Sequence, residues 1–246
     1  MKRTASKHMA AASLAKRLDA LDWSRIAGEL DQQGYATTGA LLTGSECTEL
    51  IGAYDAPAAF RSKVIMARHG FGRGEYQYFA YPLPATVQAL RAALYPKLAT
   101  IANLWSRTLK RNSEYPATLE RYLAVCHRAG QTRPTALLLK YETGDYNCLH
   151  RDLYGDHVFP LQATFLLSEP QTDFTGGEFV LTEQRPRMQS RASVVSLRRG
   201  EGVIFAVNER PVRGTRGTYR VAMRHGVSAL HNGRRFTLGV IFHDAR

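Results

Sequence analysis

The sequence predicts an α+β protein whose core is a double-stranded β-helix, or jelly roll, with an N-terminal helical support layer. Apolar residues recur at helical spacing before Pro134, whereas short strand-like segments separated by Gly, Pro and Asn-Gly follow it. Because about eight strands follow one another without long helices between them, a jelly roll is favoured over an alternating βαβ fold. We therefore expect a tail at 1–14 and a single domain at 15–246, with mainly helical support at 15–134 and the jelly roll at 135–246.

Helical segments dominate the first half of the chain. Residues 1–14 carry few anchoring apolar groups, so we expect them to be disordered. Apolar residues then recur at helical spacing up to Gln33, which predicts one or two amphipathic helices that end at Gly34. Four more elements are predicted before Pro134: a strand at 35–42, a helix through residue 54 that opens with a Thr43–Glu46 capping box, a helix at 85–110 with Pro96 as a kink or a break, and a helix at 117–128.

The second half consists of short segments rich in strand-forming residues. They lie at 136–141, 149–153, 162–167, 178–182, 193–196, 202–206, 219–227 and 235–242. A barrel built from them is expected to hold a ligand at its open mouth. Upstream, residues 60–81 mix glycines, arginines and aromatics, and two interpretations stay open for them: a substrate lid or a surface hairpin.

The chain is strongly basic, with 33 Lys and Arg against 21 Asp and Glu and a net charge of +12. This balance favours polyanionic partners such as DNA or RNA, and a solvated basic surface is an equal alternative. The three cysteines are widely spaced and odd in number, which argues against a disulfide framework and fits a reducing cytoplasm. No apolar run reaches the roughly 20 residues that span a bilayer, and no signal peptide is recognised, so we expect a cytoplasmic protein without a membrane partner.

The most informative motif is the His-x-Asp pair formed by His150 and Asp152. Residues two apart on an extended strand point to the same face, so an imidazole and a carboxylate can meet at one point. Such a pair is the start of a 2-His-1-carboxylate triad, which holds Fe(II) on one face and leaves the opposite positions open. The pair alone is a weak signal and needs a second His and an anion-binding Arg downstream.

His225 and Arg235 supply these two residues. The sequence predicts His225 on one strand, a tight turn at Asn232-Gly233, and Arg235 on the returning strand. A planar guanidinium suits bidentate binding of a carboxylate. The spacing therefore predicts a metal site with an anion site beside it.

In this order the residues resemble the Fe(II)/2-oxoglutarate-dependent oxygenases, whose pattern is His-x-Asp, a distant His, and an Arg about ten residues later. Tyr141 and Gly144 are similar to the Tyr-x-x-Gly of the prolyl-hydroxylase-like branch. Residues 175–179, Thr-Gly-Gly-Glu-Phe, are similar to the Gly-Gly-Glu hairpin that this branch carries between its ligands.

The resemblance implies a complete set of site residues and cofactors. His150, Asp152 and His225 would hold Fe(II), while Arg235 and Tyr141 would hold the far carboxylate of 2-oxoglutarate. With molecular oxygen, decarboxylation of 2-oxoglutarate to succinate would then be coupled to hydroxylation of a substrate C–H bond.

Some assignments keep alternatives. His231, His157 and His243 compete with His225 as the third ligand, and the offset from the Arg favours His225. Arg234 would replace Arg235 if the strand register slipped by one, because a slip reverses the facing of every side chain. A zinc-binding or metal-storage jelly roll is the non-catalytic alternative, and it is disfavoured because no cysteine accompanies these histidines.

The substrate is the least determined feature. The C-terminal half, through residues 239–244, resembles a bacterial oxygenase family described as acting on damaged, alkylated DNA, and the basic charge fits it. AlkB-type demethylases, however, carry a second Arg where this chain has Ile241, so their mode of base recognition is not carried over. We expect oxidative demethylation of alkylated nucleic acid. The alternatives are hydroxylation of a protein side chain or small molecule by a prolyl-hydroxylase-like enzyme, and a non-catalytic basic protein that binds nucleic acid.

Overall fold

The computed structural model describes residues 13–215 and 217–246. In this part of the chain, fourteen strands form two antiparallel sheets. The strands are β1 Tyr35–Ala40, β2 Phe60–Ile65, β3 Gly72–Arg73, β4 Glu75–Phe79, β5 Leu137–Glu142, β6 Tyr146–His150, β7 Leu161–Leu166, β8 Phe174–Gly176, β9 Phe179–Gln184, β10 Arg191–Val195, β11 Glu201–Ala206, β12 Glu209–Gly214, β13 Gly217–Val227 and β14 Leu230–Val240. The eight-stranded major sheet has the order β1-β11-β7-β14-β5-β4-β2, with β8 beside β14. The six-stranded minor sheet has the order β10-β9-β13-β6-β3, with β12 beside β13.

Alternation along the major sheet separates two buried layers. Leu138 on β5 and Leu238 on β14 point away from the minor sheet and join the helices in the main hydrophobic core. Leu137 and Thr237, their neighbours in sequence, point the other way and line a cavity between the sheets. One face of the sheet therefore stabilises the fold, and the other is available for a site.

Five helices support this sheet: α1 over residues 13–19, α2 Trp23–Gln33, α3 Gly44–Gly52, α4 Ala85–Thr108 and α5 Leu119–Arg128. The predicted capping box is confirmed, since Thr43 caps α3 and Glu46 bonds back to the Thr43 backbone. Pro96 lies inside one continuous helix and does not split it. No helix of the described ranges is long and apolar enough to cross a membrane.

Two predictions about the first half need correction. Residues 13 and 14, placed in the predicted tail, are helical, and Leu14 is buried in the main core, as is Leu18 one turn later. The rest of that predicted tail lies outside the described residues. Residues 60–81 do form a hairpin, since β2 and β4 are antiparallel neighbours, but it is built into the major sheet because β4 also pairs with β5.

The predicted tight turn at Asn232-Gly233 is wrong. Both residues lie within β14, and the chain instead crosses from the minor to the major sheet between Val227 and Leu230. Gly233 has a φ of +87°, and a Cβ there would lie 2.1 Å from the Asp173 carbonyl oxygen, so the glycine serves a close approach and not a hairpin.

Candidate metal and anion site

A cavity of about 320 Å³ lies between the two sheets and contains every residue that the sequence analysis assigned to the site. The minor sheet contributes His150 and His225, and the major sheet contributes Tyr141 and Arg235. Residues separated by almost a hundred positions thus meet because the two sheets face each other. A pocket of this kind between sheets is a usual place for a ligand.

The two histidines are held by strand pairing. His225 on β13 is directly opposite His150, the last residue of β6, and the centroids of their rings are 4.2 Å apart. One ligand atom from each of His150, Asp152 and His225 lies within 4.8 Å of the others. The donor set of two imidazoles and one carboxylate, without a thiolate, suits Fe(II) with open positions better than a closed zinc site.

Asp152 lies in a loop after β6 and not on the strand that the His-x-Asp spacing predicts. Its Oδ2 lies 3.3 Å from His225 Nε2, and its Oδ1 accepts a hydrogen bond of 2.8 Å from the Tyr154 hydroxyl. The loop is anchored by buried Gln131, whose amide donates to the carbonyl oxygens of Tyr154 and His157 and accepts from the His157 N–H. Strand alternation therefore does not explain why the carboxylate meets the imidazoles.

The protonation states suit metal binding. Burial raises the pKa of Asp152, but hydrogen bonds with His150 and His225 outweigh it and hold that pKa well below its ordinary value. Burial lowers the pKa of His225, which favours the neutral imidazole. His150 Nδ1 donates to the Cys148 carbonyl oxygen at 2.8 Å. Burial lowers the pKa of His150, but its hydrogen bond with Asp152 outweighs this and raises that pKa, so a bound metal would displace a proton from Nε2.

Arg235 and Tyr141 are opposite each other on β14 and β5. The guanidinium carbon of Arg235 lies 5.6 Å from the centroid of the Tyr141 ring, and both side chains are buried. Burial lowers the pKa of Arg235 to about 10 and raises that of Tyr141 to about 12, so both stay protonated at neutral pH. Arg234 faces outward and pairs with Glu142 at 3.3 Å, so the structure places Arg235 in the cavity and leaves Arg234 outside it.

Two sheet crossings run side by side behind Arg235. Gly177 N–H donates to the Ala229 carbonyl oxygen, and Glu178 N–H donates to the Ser228 hydroxyl. Residues 175–179 thus pass from β8 in the major sheet to β9 in the minor sheet and do not form a hairpin. A Cβ on Gly177 would lie 2.4 Å from Leu230 and 3.1 Å from the Arg235 side chain, so glycine is required for this approach.

The other histidines lie outside the metal group. His243 is buried, its Nδ1 accepts from the Phe159 N–H, and burial lowers its pKa to about 4. His231 packs against Gly176, where a Cβ would meet its ring at 2.9 Å. His157 lies in the loop that Gln131 anchors. None of the three belongs to the described group whose ligand atoms converge.

The cavity also fits a bound dicarboxylate. Within the described chain, Arg235 Nε and Nη1 are buried without a hydrogen-bond partner. A buried cation with unsatisfied donors is costly, and a carboxylate in the cavity would satisfy a guanidinium with two parallel hydrogen bonds. The residues present therefore fit Fe(II) with 2-oxoglutarate.

Comparison with known proteins agrees with this geometry. The family described as "Oxygenase, catalysing oxidative methylation of damaged DNA" matches residues 74–245. The uncharacterised protein Rv2227 of Mycobacterium tuberculosis is 52% identical over 167 residues, which cover 68% of this chain and 72% of that protein.

Solved structures show the same fold at low sequence identity. A prolyl-4-hydroxylase from Pseudomonas putida has a TM-score of 0.54 at 14% identity, over 91% of this chain and 99% of that one. An oxidoreductase of the 2OG-Fe(II) oxygenase family from Burkholderia pseudomallei has a TM-score of 0.52 at 15% identity, over 91% and 92%. These likenesses confirm the predicted jelly roll. Since the family match spans most of the chain and a relative is more than half identical, the chain belongs to the Oxygenase-NA family of oxygenases.

Proposed function

We propose that this protein is an Fe(II)/2-oxoglutarate-dependent dioxygenase in which His150, Asp152 and His225 hold the metal. The observation that carries the proposal is one cavity that contains both a convergent His-Asp-His group and a buried arginine with unsatisfied donors. Histidines and a carboxylate also converge in zinc sites, and a buried arginine also occurs in structural ion pairs. Together, however, the two features supply both requirements of this chemistry, a metal with open positions and a fixed grip on an anionic co-substrate.

The residues of the cavity have separate roles in this proposal. Arg235 and Tyr141 bind the far carboxylate of 2-oxoglutarate, the guanidinium through two donors and the phenol through its hydroxyl. Phe179 and Phe205 pack against the His225 ring, with centroids 6.0 and 4.7 Å away, and shield it from water. Bound Fe(II) and 2-oxoglutarate supply the oxidant that attacks a substrate C–H bond.

The proposed substrate is a nucleic acid with an alkylated base. The support is the description of the matched family, which names damaged DNA, and the net charge of +12, which favours phosphate contacts. Oxidation of an N-methyl group by an oxygenase gives a hydroxymethyl group, which departs as formaldehyde. The proposed reaction would therefore remove the methyl group from the base.

The test is 2-oxoglutarate turnover in the presence of different nucleic acids. Succinate and formaldehyde would be measured with methylated single-stranded DNA, with the unmethylated strand, and with no strand, beside Asp152→Ala. The proposal predicts methylation-dependent formaldehyde and faster succinate formation, both lost in the variant. Succinate formation that is indifferent to every strand would retain the dioxygenase and reject the nucleic-acid substrate.

A further inference from the structure

We propose that Phe71 is a stacking platform for one unpaired base of a single-stranded nucleic acid at the mouth of the cavity. This inference rests on the proposed function, because it names how the substrate of that same site is received. Phe71 lines the cavity, yet 47% of it is exposed to solvent. The family match begins at residue 74, so this side chain lies outside the matched region.

The backbone holds Phe71 in a fixed place. Its N–H donates to the carbonyl oxygen of buried Met66 at 3.2 Å, and its carbonyl oxygen accepts from Cys148 N–H at 2.9 Å. The second bond ties the backbone of Phe71 to β6, the strand that ends in His150. Gly72 is needed beside it, because a Cβ there would lie 2.4 Å from the Tyr146 carbonyl oxygen. The platform therefore has a defined position relative to the proposed metal.

One face of the Phe71 ring is already covered. His69 stacks on it with ring centroids 5.3 Å apart and an interplanar angle of 25°. Phe71 lines the cavity and His69 does not, so the imidazole supports the ring from outside. Because Phe71 lines the cavity and His69 covers one face of its ring, the opposite face is the one on which a flat group in the cavity can stack.

The surroundings favour a base on a phosphate backbone over a protein side chain. Arg68 and Arg73 lie on either side of Phe71 in the sequence, and both are exposed. Leu149, also exposed, extends the apolar rim of the cavity. Aromatic platforms bordered by cations are how proteins hold single-stranded nucleic acids, since every base offers a π face.

The depth of the site excludes a base that is still paired in a duplex. The proposed metal ligands lie inside a cavity of about 320 Å³, a space that admits a single base and not a double helix. A base must leave its stack before it reaches the metal, and it then loses its neighbours. Phe71 replaces one of these neighbours at the entrance.

The experiment is a double-mutant cycle between Phe71 and the base. Fluorescence anisotropy would measure binding of a labelled single strand of abasic sites that carries either one N-methylated base or, in the abasic probe, none. The protein would be loaded with Mn(II) and 2-oxoglutarate so that no turnover occurs. The variants are Phe71→Ala, Phe71→Trp and, as a control, Leu104→Ala, which removes an exposed apolar side chain from α4, far along the chain from the site.

We expect Phe71→Ala to weaken binding of the base-containing probe by about 5- to 100-fold, the range that stacking of one base corresponds to. Binding of the abasic probe should hardly change, Phe71→Trp should bind as the parent does, and Leu104→Ala should have no effect. Equal losses for both probes, or a Phe71→Trp variant as weak as Phe71→Ala, would overturn the platform.

Two further outcomes separate this inference from the proposed function. If the parent forms succinate but binds no oligonucleotide, the platform is rejected and the dioxygenase stands. If base-dependent binding through Phe71 is found in a protein that forms no succinate under any condition, the platform stands and the proposed chemistry is rejected.

Discussion

Tyr154 donates a 2.8 Å hydrogen bond to Oδ1 of Asp152, and both residues lie in the loop after β6. The bond holds the carboxylate in an orientation in which Oδ1 lies 3.5 Å from His150 Nε2 and Oδ2 lies 3.3 Å from His225 Nε2. Asp152 is the one proposed metal ligand that does not lie on a strand, so its position depends on this hydrogen bond. Hydrogen bonds to ligating groups commonly change metal affinity by 10- to 100-fold.

Replacement Tyr154→Phe should therefore lower the affinity for a divalent metal by about tenfold, because the ring remains and only the hydroxyl is lost. Anaerobic titration calorimetry with Fe(II) or Mn(II) measures this directly. Tyr122→Phe is the matched control, since it removes a buried hydroxyl that has no hydrogen-bond partner in the described chain. Equal metal affinity in the parent and both variants would show that the Tyr154 hydroxyl does not position Asp152.

Arg235→Lys should weaken 2-oxoglutarate binding by about 10- to 100-fold. An ammonium keeps the charge but loses the planar pair of donors, and hydrogen bonds to charged groups contribute about 1.5–3 kcal/mol. Arg234→Lys is the control, because the neighbouring side chain faces solvent and pairs with Glu142. Binding of 2-oxoglutarate to the Mn(II) protein is the measurement, and a larger loss in Arg234→Lys would reverse the assignment.

Gly177→Ala should reduce both stability and 2-oxoglutarate affinity. The residue has a φ of +65°, which costs a non-glycine residue about 1–2 kcal/mol, and the new Cβ would press on the Arg235 side chain. Gly130→Ala carries a similar backbone cost at a φ of +80° with no atom within 4 Å of the Cβ. We expect comparable losses of unfolding free energy from the backbone alone, and weaker 2-oxoglutarate binding, by about tenfold, in Gly177→Ala. An unchanged 2-oxoglutarate affinity in Gly177→Ala would argue against the idea that Gly177 leaves the space that the Arg235 side chain needs.

Glu183 should make stability depend on pH at the acidic end. It binds the fully buried Arg210, which also donates to the carbonyl oxygens of Asp31 and Gln32 at the end of α2. Burial raises the pKa of Glu183, but the bonds and charges of Arg210 and other arginines outweigh it and lower that pKa. The stabilisation is therefore fully present above the unfolded pKa of about 4.3 and is lost as the pH falls through the lower folded value.

The corresponding variant is Glu183→Gln, expected to lose about 3 kcal/mol of unfolding free energy at neutral pH and less in acid. Urea unfolding at two pH values measures the difference. Glu142→Gln, which breaks an exposed pair with Arg234, should cost under about 1 kcal/mol. A Glu183→Gln deficit that is the same at both pH values would contradict the assigned ionisation.

The sequence predicts most of the fold and the chemical types at the site. Alternating segments after Pro134 predict the strands, and the spacing of His150, Asp152, His225 and Arg235 predicts which side chains share the cavity. These predictions hold because strand alternation and ligand chemistry depend on residue types, which the sequence gives directly. β12 was not predicted, since Pro211 within it disfavours a strand, and its place at the sheet edge tolerates the proline.

Other features depend on tertiary contacts that no local pattern records. Asn232-Gly233 has strong turn propensity, but pairing of β14 with both β5 and β7 overrides it. The choice between Arg234 and Arg235 was fixed only by the register opposite Tyr141. No sequence pattern predicts the roles of Gln131 and Tyr154, because both roles arise from the way the loop after β6 folds around Asp152.

The most direct test of the central claim is oxygen-dependent succinate formation from 2-oxoglutarate by protein loaded anaerobically with Fe(II). We expect succinate to form after oxygen is admitted, to be abolished in Asp152→Ala and to be strongly reduced at limiting 2-oxoglutarate in Arg235→Lys, whereas Arg234→Lys should behave as the parent does. Succinate formation that persists in Asp152→Ala, or its complete absence in a parent protein that binds Fe(II) and 2-oxoglutarate with its nucleic-acid substrate present, would contradict it.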